Sequence, residues 1–271
     1  MPELPEVETV IRELQPLIVG RRIDRLEAVW GKTLVNRSKQ TVSGQPIKTI
    51  RRQGKYIIIP LKQSNLIIHL RMTGRLAFEP ANQNDLVREQ ELNHVRLIVH
   101  FSDGSRLLFN DTRKFGRVYH VDDVQTVLQN VGKDALAEDW TTQMWFDLLR
   151  GRKISIKAFL MSQKFISGLG NIYTDESLFR AKIHPQRPAG SLRLAEAQGL
   201  FKAIRFILEQ AVKNMGSTIS DYRDAYGNPG KNQLYFKVYR REGQPCFVCG
   251  TRIEKTRVAG RTTRFCPVCQ R

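Results

Sequence analysis

The sequence predicts an α+β chain built in several parts. An antiparallel β-sandwich or barrel packs on an N-terminal helix, a helical middle follows, and a small metal-bound hairpin closes the chain. Three observations carry this. Short apolar runs separated by turn residues fill the first half, helical periodicity takes over from Thr141, and all four cysteines fall after residue 245 as two Cys-x2-Cys pairs.

The chain has 271 residues, 41% of them hydrophobic, enough to bury a real core in one large or two small domains. Lys and Arg number 44 against 26 acids, a formal charge of +18. That excess is the footprint of a polyanion binder rather than of a merely soluble basic protein. No run of 18 apolar residues occurs, so no membrane-spanning helix is predicted. The acidic N-terminus lacks the apolar stretch of a secretory signal, so a cytoplasmic, DNA-facing protein is expected.

The chain opens Met1-Pro2-Glu3-Leu4-Pro5-Glu6-Val7-Glu8. Pro5 suits a first helical turn, and Glu6 and Glu8 suit the positive end of a helix dipole. Val7, Val10, Ile11, Leu14, Leu17 and Ile18 share one helical face, Gly20 can close the helix, and Pro16 predicts a kink or an early stop. A helix start leaves Pro2 and Glu3 unexplained. With Met1 removed, Pro2 carries a free secondary amine beside a carboxyl group. Such an amine can attack a sugar C1′ and become a cationic iminium. An α-amine titrates at roughly 7.7–8.0 against about 10.4 for lysine, so far more of it is neutral at pH 7.

Strands are expected at Arg25–Trp30, Ile47–Arg51, Tyr56–Leu61, Asn65–Met72, Val95–Phe101 and Arg106–Phe109, with Ser102–Ser105 as a hairpin turn and Leu86–Asn93 as a polar surface loop. Arg51 to Tyr56 places three cations around a turn. This is either a solvated turn or a phosphate contact with Lys55 near the chemistry. His69 and His94 lie in apolar strands and do not form a metal pattern. His69–Gly74 and Asp111–Gly116 each present a large apolar side chain beside a cation. Such residues either pack in a core or wedge into a base stack.

Gly132–Asp139 reads as a linker, and Thr141–Arg150 and Ser155–Lys164 as short helices. Gly168-Leu169-Gly170 opens another helix to about Ala181, with Asn171 as its N-cap. This is an ordinary corner or an anion site. Leu194, Ala197, Phe201, Ile204, Leu208, Ala211 and Met215 form the core stripe of a long helix that Gly216 caps. Ser217–Phe236 is a long polar loop, either a closing element or a linker.

Cys246-x2-Cys249 and Cys266-x2-Cys269 stand sixteen residues apart, the spacing of a tetrahedral four-cysteine zinc site. Two disulfides are the alternative, but nothing marks the chain as secreted. The module has little apolar content and would need its metal to fold. Thr251–Phe265 reads as two strands turning near Ala259-Gly260-Arg261. With no open position, the zinc would be structural.

Taken together, the N-terminal octapeptide, His69–Gly74, Asp111–Gly116, Gly168–Tyr173 and the four-cysteine tail resemble, in that order, bacterial formamidopyrimidine-DNA glycosylase. The resemblance spans residues 1–271. It implies an N-terminal β-sandwich catalytic domain (1–131), a helix–two-turns–helix DNA-binding domain (132–222), a lesion loop and linker (223–243) and a zinc finger (244–271), with DNA between domains. By that resemblance Pro2 is the Schiff-base nucleophile and Glu3 the general acid, with Glu6 in support. Lys55 acts in β-elimination and Arg261 in δ-elimination. Met72, Arg113 and Phe115 fill the duplex after the base leaves. His94, Arg113, Arg152 and Asn171 contact DNA, and Lys157 and Glu176 line the site.

The implied activity is base-excision repair of duplex DNA carrying oxidised purines or an abasic site, by a monomer with one structural zinc and no redox cofactor. The expected location is the bacterial cytoplasm, on the nucleoid. The endonuclease VIII type, which prefers oxidised pyrimidines, resembles Met-Pro-Glu-Gly at its terminus and lacks the Arg113–Gly116 stretch. A non-catalytic zinc-finger damage binder has no use for Pro2, Glu3, Lys55 and Arg261 in combination.

Overall fold

A computed structural model of the chain describes residues 1–81, 93–219 and 222–271. They divide into two compact units, residues 1–130 with 214–231 and residues 131–213 with 232–271. The expected surface loop Leu86–Asn93 lies outside the described residues except for Asn93.

The first unit begins with α1 (Leu4–Ile18). The helix does not stop at Pro16 as expected. A proline inside a helix costs roughly 3 kcal/mol. Leu14 and Ile18 on the buried face are worth roughly 1.5–3 kcal/mol each and hold the last turn. Two sheets share a core with this helix. One has four strands in the order β1 (Ile23–Glu27), β7 (Val95–Phe101), β8 (Arg106–Asn110), β6 (Arg75–Glu79). The other has five, in the order β2 (Leu34–Asn36), β9 (Arg117–Val121), β5 (Asn65–His69), β4 (Tyr56–Pro60), β3 (Arg51–Gln53).

Alternation decides which side chains meet. Ile57, Ile59, Leu66, Ile68 and Val118 of one sheet share the core with Leu97, Val99, Phe101, Leu107 and Phe109 of the other, while Val95, Ile98 and Leu108 cluster separately. The β7–β8 hairpin turns at Ser102–Ser105 as the sequence predicts, with Gly104 at φ +85°. Strands β2, β6 and β9 were not expected. Residues 47–50, expected as strand, run as irregular chain with Ile47 and Ile50 buried.

The second unit contains α3 (Thr142–Leu149), α4 (Ile156–Met161), α5 (Asn171–Arg180) and α6 (Leu194–Lys213); a short α2 (Gln125–Leu128) precedes it in the first unit. Thr141 and Ser155 cap α3 and α4 through their side-chain oxygens. Trp145 is fully buried against Phe159 and Phe201, and its Nε1–H donates to the Ala197 carbonyl at 2.8 Å. The expected linker is not free chain: β10 (Lys133–Asp134) pairs in parallel with β11 (Ile166–Ser167). The zinc-module hairpin is β12 (Glu254–Val258) against β13 (Arg261–Phe265).

Candidate active site and zinc module

Glu3 is the N-cap of α1 and only 3% exposed. Its side chain accepts the backbone N–H of Glu6, and its own N–H donates to Glu6 Oε2 at 2.7 Å, a closed capping box. Pro2 is buried next to it and Met1 is exposed. The other oxygen of Glu6 accepts the Ser217 N–H at 2.7 Å. One carboxylate thus ties the chain's start to the segment after α6. Gly216, at φ +71°, does not cap α6, which ends at Lys213; a Cβ there would lie 2.8 Å from Glu6. The same segment is held at Ala225, whose N–H donates to Glu13 Oε2 at 2.7 Å.

Lys55 is buried, not solvated, in the two-residue turn Gly54-Lys55 that joins β3 to β4. Arg52 on that hairpin reaches back to α1, with Nε 2.9 Å from Glu8 Oε2. Burial pushes the Glu8 carboxyl up, but the Arg52 and Arg12 guanidiniums outweigh it and hold the group below its usual range. His69 is buried at the end of β5. Its Nδ1 accepts the Arg71 N–H at 2.9 Å, and its ring packs edge-on to Tyr56. Burial, with Arg71 and Lys55 nearby, pushes its pKa down to about 3, so the ring is neutral.

Met72, Arg113 and Phe115 lie on two loops that Asp111 joins. Asp111 is 1% exposed. Its Oδ2 accepts the Gly116 N–H at 2.7 Å, and its Oδ1 accepts both the Arg113 N–H at 3.2 Å and the Thr73 hydroxyl. Arg71 and Lys114 adopt left-handed φ of 55° and 60°, one in each loop. A Cβ at Gly74 would meet the Leu70 carbonyl oxygen at 2.3 Å, and one at Gly116 the Phe109 ring at 2.3 Å. These constraints leave Phe115 48% exposed with the Arg113 guanidinium 4.9 Å from its ring centre. Met72 is half-buried, Arg113 and His94 are exposed, and His94 Nδ1 lies 3.4 Å from Arg96.

In the second unit, exposed Arg152 stacks on Phe165 at 4.5 Å. Gly170, not Asn171, is the N-cap of α5. Asn171 is the first helical residue, and its amide donates to the Thr262 carbonyl at 3.0 Å. Lys157 and Glu176, expected to line the site, are buried within this unit. Lys157 Nζ is 2.7 Å from Asp175 Oδ1 and 3.2 Å from the Thr262 carbonyl. Glu176 accepts the N–H groups of Lys237, Val238 and Tyr239. Burial pushes both Asp175 and Glu176 up, against the pull of these donors. Lys157, Asp175 and Asn171 therefore hold the hairpin on α4 and α5. Asp175 escaped the sequence reading. Two adjacent acids on a ten-residue helix that is otherwise mostly apolar or small were its signal.

At the hairpin turn Ala259 and Gly260 both have positive φ, 48° and 73°, a type I′ geometry, and Arg261 pairs with Val258 at the start of β13. The four cysteine sulfurs lie within 4.8 Å of one another, with Cys246–Cys269 at 3.9 Å and Cys249–Cys266 at 3.4 Å. A tetrahedral zinc with Zn–S of about 2.3 Å sets sulfurs about 3.8 Å apart, whereas a disulfide needs about 2.05 Å. The cluster fits one structural zinc with every position filled by protein. The buried cluster at the module joins its Cys246, Ile253 and Cys266 to Phe179 of α5 and to Val238.

Three family models match in order along the chain. They are the formamidopyrimidine-DNA glycosylase N-terminal domain over residues 1–118, the formamidopyrimidine-DNA glycosylase H2TH domain over 131–223, and a zinc finger found in FPG and IleRS over 243–271. The formamidopyrimidine-DNA glycosylase of Protochlamydia amoebophila is 40% identical over 281 residues, covering all of both chains. A point mutant of Lactococcus lactis FPG in complex with Fapy-dG-containing DNA superimposes with a TM-score of 0.88 at 37% identity over 100% of both chains. Lactococcus lactis Fpg in complex with abasic-site DNA gives 0.85 at 36% identity over 99% of both.

Proposed function

The chain belongs to the formamidopyrimidine-DNA glycosylase family, and from that membership we infer that it excises oxidised purines from duplex DNA and cleaves the strand at the resulting abasic site. The observation that carries the reading is the buried Pro2-Glu3 terminus at the front of α1, closed by Glu6. Removal of exposed Met1 frees the Pro2 amine. The positive end of a 15-residue helix behind it disfavours the ammonium form and keeps the amine nucleophilic.

A purine inside a duplex is out of reach, so the nucleotide is extruded at a cost of a few kcal/mol. Phe115, Met72 and Arg113 are the residues suited to fill the gap, because Asp111 fixes the loops that carry them. The Pro2 nitrogen bonds to C1′ as the glycosidic bond breaks and the base leaves with a proton. Glu3 protonates the ring oxygen as the sugar opens, giving the iminium. The iminium acidifies the C2′–H. Loss of that proton expels the 3′-phosphate, and a second elimination expels the 5′-phosphate. Lys55 takes part in the first elimination and Arg261 in the second.

His94, Arg152 and the start of α5 at Asn171 contact the backbone, while Lys157 and Glu176 act by positioning the zinc hairpin and the 237–239 segment. The zinc, held by Cys246, Cys249, Cys266 and Cys269, supplies a fold and no chemistry. The proposed domains are 1–131, 132–222, 223–243 and 244–271, with residues 214–231 grouping with 1–130 and residues 232–271 with 131–213. No helix among the described residues is long and apolar enough to cross a membrane, and the +18 charge keeps the monomer on chromosomal DNA in the bacterial cytoplasm.

Borohydride trapping tests this on a duplex carrying 8-oxoguanine opposite cytosine, with an oxidised-pyrimidine duplex alongside. The expected result is a covalent adduct mapped to the residue-2 amine, stronger on the purine duplex. Tight binding by the Met1-free protein with no adduct and no cleavage on either duplex defeats the catalytic reading. Stronger trapping on the pyrimidine duplex defeats only the substrate.

A further inference from the structure

The second unit carries an apolar pocket that the repair chemistry does not use. It has a volume of about 420 Å³ and lies among the C-terminal half of α5, the face of α6 around Phe206, the 3-10 turn Asn232–Tyr235 and the Cys246–Cys249 knuckle. Four large apolar side chains line it while remaining open to solvent: Phe206, Tyr235, Phe247 and Val248, the last two 65% exposed. Exposed apolar residues scattered singly are normal, but four gathered on one pocket mark an interaction site.

Its rim is cationic. Arg180, Lys182 and Lys237 line the pocket, and the sole acid among the lining residues, Glu176, is already engaged by three backbone N–H groups. Arg180 stacks 3.5 Å from the centre of the Phe206 ring, and Arg241 stacks 3.5 Å from that of Phe247. These cations pre-orient the rings and still offer N–H donors at their edges. The pocket is also separate from the residues assigned to DNA. Asn171 opens α5 and meets the hairpin at Thr262, whereas Glu176 to Arg180 lie five to nine residues further on, about 8–14 Å along the helix.

We propose that this pocket is a docking site for an acidic peptide segment of a partner protein, which inserts an aromatic side chain between Phe206 and Phe247 and sets its carboxylates against Arg180, Lys182 and Lys237. Charge and shape select this occupant. A duplex backbone offers no apolar anchor for the rings, and a second copy of a chain with +18 net charge is repelled by the rim.

The probe is a fluorescein-labelled acetyl-Asp-Glu-Asp-Phe-Glu-Asp-Leu amide, titrated by anisotropy into the zinc-loaded full chain, alone and saturated with an abasic-analogue duplex. Binding in the micromolar range is expected both with and without the duplex. Phe206→Ser, Phe247→Ser and Arg180→Glu should each weaken it at least tenfold while zinc content and strand nicking stay at the parent level. A control peptide with Ser in place of Phe should bind at least tenfold more weakly than the parent peptide. Phe206 and Arg180 are not next to the cysteines in sequence, so their variants report on the pocket even if Phe247→Ser disturbs the metal. Absence of binding overturns the proposal, as does competition by the duplex, indifference to the Phe206 and Arg180 substitutions, or a concentration-dependent dimer that buries the pocket.

Discussion

The two units hold their key residues by opposite means. Pro2 and Glu3 sit at the end of a helix whose other face is sunk in a core of more than twenty apolar residues, and the hold on them is a capping box. Arg261 sits on a zinc module that gives only three residues to its buried cluster, two of them zinc ligands, and borrows Phe179 and Val238 from outside. The first is built by hydrophobic burial and hydrogen bonds, the second by a metal. The first should therefore ignore chelators, and the second should depend on its metal.

The sharpest test acts on the chemistry of the first unit alone. Pro2→Gly exchanges the secondary amine for a primary one and should cut base excision and borohydride trapping at residue 2 at least about tenfold, with duplex binding kept. Unchanged excision and trapping by that variant would falsify the assignment of the proline amine as the nucleophile. Glu3→Gln should lower base excision by about 10²–10⁴-fold, the usual worth of a positioned acid, measured in single turnover. Because glutamine still accepts the Glu6 N–H, the cap and the melting temperature should hardly move. A large drop in stability would show that Glu3 acts only as a cap.

Zinc removal is the converse test. Structural zinc is worth roughly 10–16 kcal/mol in zinc-finger peptides, beyond what the module's own buried Ile253, Val258 and Phe265 supply at roughly 1.5–3 kcal/mol each. Chelation should melt residues 244–271 and weaken duplex binding at least about tenfold, since Arg252, Lys255, Arg257, Arg261 and Arg264 disperse with it. The amide signals of the β-sheet unit should persist. Unchanged nicking after proven metal loss would break the comparison.

Asp111→Ala acts one level lower. It strands the Gly116 N–H and the Thr73 hydroxyl, at roughly 1–3 kcal/mol per buried group, and leaves the Arg113 N–H only its longer bond to Thr73 Oγ1. A loss on the order of 2–4 kcal/mol in denaturant unfolding is expected, with weaker discrimination of damaged from intact duplex, because Met72 and Phe115 lose their fixed loops. Asp111→Asn, which keeps an acceptor, should recover part of both. Equal loss in the two variants would mean that the charge, not the acceptor geometry, holds the loops.

What the sequence disclosed follows the same division. Periodicity exposed α1, α6 and the strands with long apolar runs, because burial repeats. Cysteine spacing exposed the zinc module, because coordination has a fixed geometry. Strands β2, β6 and β9 carry no such run, being broken by Arg75, Glu79, Arg117, His120 and Asn36. The contacts that organise the site were hidden for another reason: they join residues far apart in the chain. Glu6 with Ser217, Glu8 with Arg52, and Asp111 with Thr73 are polar pairs whose partners no local pattern names. Asp111 alone left a trace, as an aspartate opening a turn. Lys157 and Glu176 came to notice by resemblance, yet their burial shows positioning work that composition does not reveal.

The smallest expected effect concerns the clasp of α1 on the 214–231 segment. Burial, together with the neighbouring Asp224 carboxylate, raises Glu13 to about 7, although the Ala225 N–H pulls the other way. An unfolded glutamate titrates near 4.5, so the folded state prefers the protonated form. Its contribution to stability is full below about pH 4.5 and fades as pH rises through about 7. Glu13→Gln keeps an acceptor for the Ala225 N–H and removes the titration. The variant should melt with the parent at pH 4 and above it at pH 8, by less than about 1 kcal/mol because Glu13 is partly exposed. Equal shifts at both pH values would mean that Glu13 is ionised throughout, and the clasp would then depend on its hydrogen bonds alone. Comparing parent and variant at the same pH isolates this clasp from the zinc hairpin, whose cysteines and Asp175 exchange protons alike in both proteins. The pH dependence of the variant thus separates a carboxylate clasp from a metal one inside a single chain.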